Sequence, residues 1–197
     1  MKKLLQLALA TLLLLGAATP SWAQSQADKP TRVDALKITF LSWGTGSSKL
    51  SWEHALPSLG QTTEICAGWI GAGYDKYDNN PRGLTLRYGH KFFVGGYDPT
   101  RPFDGFYLRP EAIYSRFHYT HSLSGTRSLA EMGSLIATVG YQRTWGGFVA
   151  DLWVGGGYAF GTPAETGYHH GFQLLDHLGL RNDNVALSFS IRIGWCF

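Results

Sequence analysis

The chain has 197 residues, of which 44% are hydrophobic and 14% aromatic, and carries a formal charge of +3. That length corresponds to one domain, and so small a charge without a basic run excludes a nucleic-acid footprint. No apolar run beyond residue 24 is long enough for a membrane helix, which leaves a secreted β-sandwich or a transmembrane β-barrel.

At the N-terminus Lys2 and Lys3 precede the apolar run Leu4 to Gly16, and Ser21-Trp22-Ala23 follows. A charged start, an apolar stretch and small residues two apart predict a secretory signal peptide over 1–23, cut before Gln24. The run, roughly 13 residues, falls short of the ~20 that a spanning helix needs. Loss of Lys2 and Lys3 takes the formal charge from +3 to +1. A polar periplasmic tail over 24–34 then leads into a domain over 35–197.

Strand patterning follows in chain order. Alternation of large apolar with small or polar residues predicts strands near 35–43, 48–56, 62–72, 83–93, 105–117, 129–144, 148–160 and 185–197. The last shows it best. Val185, Leu187, Phe189, Ile191, Ile193, Trp195 and Phe197 share one face, and Ala186, Ser188, Ser190, Arg192, Gly194 and Cys196 share the other. Comparable outward sets are Leu36/Ile38/Phe40, Leu84/Leu86/Tyr88 and Leu135/Ala137/Val139/Tyr141. In a membrane barrel that face meets lipid. Gly44-Thr45-Gly46-Ser47 reads either as a tight turn or as a bulge in one long strand. An even strand count favours the turn. The expected fold is all-β: an eight-stranded antiparallel up-and-down transmembrane barrel. Its long polar connections (73–82, 118–128 and 161–184) lie outside and its short ones (56–61 and 145–147) in the periplasm. The 94–104 connection is longer than that scheme expects.

The inward parity collects Lys37, Glu53, Glu64, Arg87, Lys91, Arg109, Glu111, Asp151 and Arg192. Arg or Lys on the lipid face at mid-depth would cost about 2–4 kcal/mol each, whereas the opposite face accepts them. Five positive and four negative charges in a barrel only wide enough for side chains predict a salt-bridge network filling the lumen.

Three stretches carry a resemblance. Ala35-Leu36-Lys37-Ile38 with Leu50-Ser51-Trp52-Glu53, and Val139-Gly140-Tyr141-Gln142 with Phe148-Val149-Ala150-Asp151 to Gly155-Gly156-Gly157-Tyr158, resemble small outer-membrane barrels of Bacteroidota type, a domain of unknown function. The terminal Phe197, with apolar groups at alternate preceding positions, resembles the signal read by the barrel-insertion machinery. The resemblance implies a Gram-negative outer-membrane location and carries no known chemistry.

Other candidate chemistry lies in the outer loops. Five of seven histidines, His118, His121, His169, His170 and His177, fall there. His118, His121 and His169 or His170 offer a metal set by residue type, although solvated loop residues are the expectation. His121-Ser122 with Glu165 invites comparison with outer-membrane lipid A hydrolases, in which a Ser needs a His base oriented by a carboxylate. Phe172, Leu174, Leu175 and Leu178 suggest a short helix near 171–178 that either caps the barrel mouth or docks a partner. Cys66 and Cys196 are expected as free thiols. No cofactor or metal is expected. The leading function is a non-enzymatic accessory subunit in contact with outer-membrane lipid and another outer-membrane protein. The alternatives are a lipid hydrolase and a narrow conduit for small apolar molecules.

Overall fold

A computed structural model of the chain describes residues 32–76, 79–175 and 184–197. The expected signal peptide and the tail as far as residue 31 lie outside the described residues. Eight strands close into an antiparallel barrel: β1 (Asp34–Thr39), β2 (Ser47–Leu56), β3 (Gln61–Ile70), β4 (Arg82–Val94), β5 (Gly105–Thr120), β6 (Arg127–Trp145), β7 (Phe148–Thr162) and β9 (Val185–Cys196). A two-residue strand, β8 (Gln173–Leu174), adds to β9. Closure is direct, with Ala35 opposite Cys196 and Thr39 opposite Arg192.

The register fixes the barrel's shape. Cα partners lead from Leu36 through Trp52, Ile65, Tyr88, Ala112, Leu135 and Tyr158 to Val185, and the β1–β9 register carried on past Thr39–Arg192 would set Val185 against position 46, a stagger of ten residues. With eight strands this stagger tilts them by about 40° from the axis, and such an interior is only wide enough for side chains. Period two then sorts the residues. Leu36 and Ile38 are 44% and 49% exposed, while Lys37 between them is fully buried. This inverts the pattern of a soluble core.

The first hairpin holds two strands, joined differently from the expected tight turn. The chain leaves β1 after Thr39 and makes one helical turn, α1 (Phe40–Trp43), before entering β2. Local side-chain bonds to backbone carbonyls support that turn. Ser42 Oγ donates to the Thr39 carbonyl at 2.7 Å, and Thr45 Oγ1 donates to the Ser42 carbonyl at 3.1 Å. Pro110 lies inside β5 although it brings no N–H to the ladder. The β4–β5 pairing is interrupted at His90 and Lys91, opposite Pro110 and Arg109.

Both ends of the barrel are stoppered. At the short-turn end the 95–104 connection folds under the wall, which accounts for its length. Phe103 is buried against Ala35, Ala55, Val149 and Cys196. Asp104 anchors the segment by accepting from the Thr144 backbone N–H at 2.5 Å and from its hydroxyl. Asp98 accepts from the Thr100 N–H and hydroxyl at 2.9 and 2.7 Å, closing a tight turn. Both cysteines are free and buried.

At the other end the chain after β7 dips into the mouth, and here the expectation is corrected. Of the span 171–178 expected as a helix, residues 173–174 instead form β8, with Gln173 opposite Leu187 and Leu174 opposite Ala186, and 176–178 lie outside the described residues. Phe172 and Leu174 point inward onto Ile113, Met132, Ile136 and Ala159, so they present no surface to a partner. Leu175 is half-buried and Leu178 lies outside the described residues. Gly171 permits the close approach, because a Cβ there would meet Ile113 Cγ2 at 3.1 Å.

The lower stopper makes a direct prediction. Phe103→Ala should lower unfolding free energy by about 3–5 kcal/mol, the usual loss for a buried Phe. Denaturant titration of the folded barrel measures it, and an unchanged midpoint would show that the 95–104 segment does not pack as described.

Candidate functional site

The structure draws all nine inward-parity charges into the lumen, and each is buried. Glu53 of β2, Glu64 of β3 and Asp151 of β7 bring their carboxylate oxygens within 4.8 Å of one another. Three such groups repel unless cations lie between them. Lys37 and Lys91 supply the cations. Lys37 Nζ pairs with Glu53, with Glu64 at 2.6 Å and with Asp151 at 3.0 Å. Lys91 Nζ pairs with Glu53 at 3.0 Å, Glu64 at 3.5 Å and Asp151 at 2.9 Å. Two ammonium groups thus occupy the space that a metal would take. Among the described residues this carboxylate trio is the sole His/Cys/Asp/Glu group with metal-holding geometry.

Arginines extend the network upward. Arg109 spans Glu64 at 3.2 Å and Glu111 at 3.1 Å, and its Nε donates to Thr138 Oγ1 at 3.2 Å. Arg192 pairs with Glu64 and donates to Thr39 Oγ1 at 3.3 Å across the closing seam. Arg87 reaches Glu111 at 3.4 Å and donates to the Gly171 carbonyl at 2.8 Å, tying the network to the upper stopper.

Four inward residues escape a search for paired charges alone. Trp153 receives Arg192, Arg109 and Arg87 over its ring at 4.3, 4.9 and 5.5 Å. Tyr107 lies under Lys91 at 4.5 Å and donates its hydroxyl to Asp151. Gln142 accepts from Lys91 Nζ. Lys49, on the inward parity of β2, makes no ion pair among the described residues. The signal for all four is parity itself, since each stands two residues from a charge or a small inward residue. Small residues opposite make the space: a Cβ on Gly140 would strike the Tyr107 ring and hydroxyl at 2.3 Å, and one on Gly89 would strike Arg109 Cδ at 2.8 Å.

The loop chemistry assembles only in part. His118 lies in β5 on the exposed parity. His169 and His170 are buried in the stopper instead of being solvated, so these histidines do not converge on one metal. His177 lies outside the described residues. Glu165 does meet both His121 and Ser122. His121 Nδ1 is 3.1 Å from Oε2, and Ser122 donates its hydroxyl to Oε1 at 2.7 Å and its N–H to Oε2 at 3.1 Å. Those Ser122 bonds, led by the hydroxyl, hold the Glu165 carboxyl below its usual range. The carboxylate stands between hydroxyl and imidazole, so His121 is not placed to take the Ser122 proton. A nucleophilic relay needs the opposite order.

By its fold the molecule is a closed eight-stranded β-barrel with a charged, packed interior. No protein-family model, curated protein or solved structure matches the chain.

Two predictions follow from this geometry. Arg109→Leu leaves Glu111 with only its 3.4 Å pair to Arg87 and takes one of four cationic partners from Glu64, and should cost about 3–5 kcal/mol. The double variant Arg109→Leu with Glu111→Leu should recover part of that loss, and equal denaturation midpoints for wild type and single variant would refute the network. The second concerns the stopper. Burial, with Lys49 and His169 nearby, pulls the His170 imidazole from its ordinary 6.5 down to about 3. The folded stopper therefore holds it neutral, while an opened loop takes up a proton below pH 6.5, so stability falls as pH drops from about 6.5 towards 3. Amide exchange over 168–175 should quicken through that window. His170→Asn, tolerated at its φ of 55°, should remove the dependence.

Proposed function

We propose that this chain is an integral outer-membrane β-barrel with a sealed lumen, serving without catalysis of its own as an accessory subunit of a larger outer-membrane complex. The outward face supports this reading. On β6 the outward residues Gly133, Leu135, Ala137, Val139 and Tyr141 run between the charged Glu131 and Arg143. On β5 Phe106, Leu108, Pro110, Ala112 and Tyr114 run up to Arg116. Each band is about nine residues, close to the ~9–11 that a tilted strand needs to cross a bilayer.

Exposed aromatics flank the band as girdles at its two interfaces. Trp145, Phe148, Trp195 and Phe197 stand at the short-turn end, and Trp43, Trp69 and Tyr158 stand towards the other. A soluble protein would place so much apolar surface against water at a cost of roughly 25 cal/mol per Å². The C-terminal strand suits recognition by the insertion machinery, as the resemblance to other small outer-membrane barrels implies. Phe197 is 60% exposed, and its carbonyl accepts from the Asp34 N–H at 3.1 Å, so the residue lies at the seam.

An interior filled by paired charges and closed at both ends supports an accessory role more than a conducting one. What remains for contact is the lipid belt and the loop end, where Leu123 at the tip of the 121–126 turn is 96% exposed. The reading predicts that the mature chain needs detergent, migrates faster unheated and adds no conductance to a planar bilayer. It should co-purify in mild detergent with another outer-membrane protein, an association that Leu123→Ser weakens. A monodisperse chain without detergent would overturn the membrane reading, and discrete channel openings the sealed lumen. A chain that purifies alone would overturn the accessory role.

A further inference from the structure

Among the described residues the barrel wall is incomplete at one place. β1 pairs with β9 only from Ala35–Cys196 to Thr39–Arg192, because α1 takes the chain out of the sheet after Thr39. Higher up, β8 covers Leu187 and Ala186. Between these pairings, residues 188–191 of β9 have no strand partner on that side among the described residues. A cavity of about 110 Å³ opens at this gap. It is large enough for several waters or for a head group of similar size.

The lining is divided by chemistry. On the inner side lie Lys49, Arg87 and Arg192, and on the outer rim lie Leu41, Leu187 and Phe189. The rim side chains are 44%, 37% and 72% exposed, so the cavity communicates with the outer apolar face. Among the described residues, the inner side also holds the inward charge that lacks an ion-pair partner. Inward parity carries the cations Lys37, Lys49, Arg87, Lys91, Arg109 and Arg192 against only Glu53, Glu64, Glu111 and Asp151. Lys37 and Lys91 are held by the carboxylate trio, and Arg109 bridges two carboxylates. Among the described residues the surplus falls on Lys49. Arg87 beside it makes one long ion pair, Nη1 to Glu111 at 3.4 Å, while its Nη2 donates to the Gly171 carbonyl at 2.8 Å. A half-buried ammonium next to an arginine calls for an anion, and an apolar exit through the wall calls for a hydrocarbon chain attached to it.

We propose that this gap binds a long-chain fatty acid, its carboxylate beside Lys49 and Arg87 and its chain leaving through the wall over Leu187 and Phe189. The site takes a single-chain anionic amphiphile from the lipid side and does not open the sealed lumen below it. The inference rests on the membrane reading for the source of its ligand.

Native mass spectrometry of the detergent-purified full chain, titrated with palmitate, tests it. One palmitate should bind saturably, while methyl palmitate, which lacks the charge, should not. Lys49→Met should weaken binding at least tenfold, and so should Ser190→Leu, which fills the cavity and leaves every charge in place. Heat-modified migration reports that each variant folds, and either variant alone carries the test if the other does not. Methyl palmitate bound as well as palmitate, or affinity unchanged in a folded variant, would mean partition onto the outer belt and would overturn the proposal. Competition by millimolar inorganic phosphate to full displacement would show a site for free anions and would also overturn it. A detergent-independent chain that still binds one palmitate would sink the membrane reading and leave this site standing.

Discussion

A closed wall of eight tilted strands admits no bulk water, so every inward polar group has to be satisfied by another inward group. The paired charges meet that constraint in layers, and Lys49 stands apart from them. Phe103 and its apolar neighbours close one end, and Phe172 and Leu174 close the other. Between these dry stoppers lie three carboxylates bridged by two ammonium groups, then arginines stacked on Trp153. Each stopper excludes water from the charges, and exclusion strengthens the pairing while raising the cost of any unpaired member. The stoppers and the network therefore depend on each other. Arg87 makes the link physical by holding the Gly171 carbonyl as well as Glu111.

Charge is not needed to fill such a space, since a well-packed apolar interior of equal volume is often as stable. The value of these charges is in parity. The outer face of every strand is apolar, so an apolar inner face would make the strands alike on both sides. A one-residue slip exchanges the faces. With Lys37, Glu53, Glu64, Arg109 and Asp151 inside, such a slip would carry charged groups onto the apolar outer surface and break every pair at once. The same interaction that fills the lumen thus specifies the ten-residue stagger and, through it, the barrel's width. Pro110 can lie in mid-wall because its neighbours across the β5–β6 seam, sixteen consecutive pairs, keep their register without its N–H.

Period two explains what the sequence makes legible. One strand's alternation is weak, but a charge at inward parity on strand after strand is not, and it identifies Lys37, Glu53, Glu64, Arg87, Lys91, Arg109, Glu111, Asp151 and Arg192 without any pairing information. Which of them meet is a different matter. Lys37 and Asp151 are 114 residues apart, and their contact follows from the stagger, which no local pattern encodes. Lys49 shares the parity of Glu53 but stands out only once its neighbours prove to be arginines and not carboxylates. The stopper misleads for a similar reason. Apolar residues at 172, 174, 175 and 178 fit a helical face as well as a strand, and the free edge of β9 at Ala186 and Leu187 decides for the strand. The length of the 95–104 connection is visible in the sequence, but its cause, a Phe103 socket built from β1, β2, β7 and β9, is not.

The wall's strength is uneven around its circumference. β5, β6 and β7 run for 16, 19 and 15 residues, whereas β1 has six and meets β9 through five pairs. The two seams of β1, to β2 and to β9, are therefore the shortest at five pairs each, and the second is also where the chain closes its circuit. A tight strand-to-strand turn in place of α1 would lengthen β1 and extend the seam upward. The helical turn instead leaves part of the β9 edge uncovered, with backbone groups that in an apolar surrounding need some other partner. Arg192 stands at the last seam pair, bonded downward to Glu64 and sideways to Thr39, and it stacks on Trp153. One side chain thus fastens the lower seam to the charged core just where the upper seam parts. In a barrel whose two mouths are both stoppered, this boundary is, among the described residues, the one place where the outer apolar face and the inner charged face meet without a strand between them.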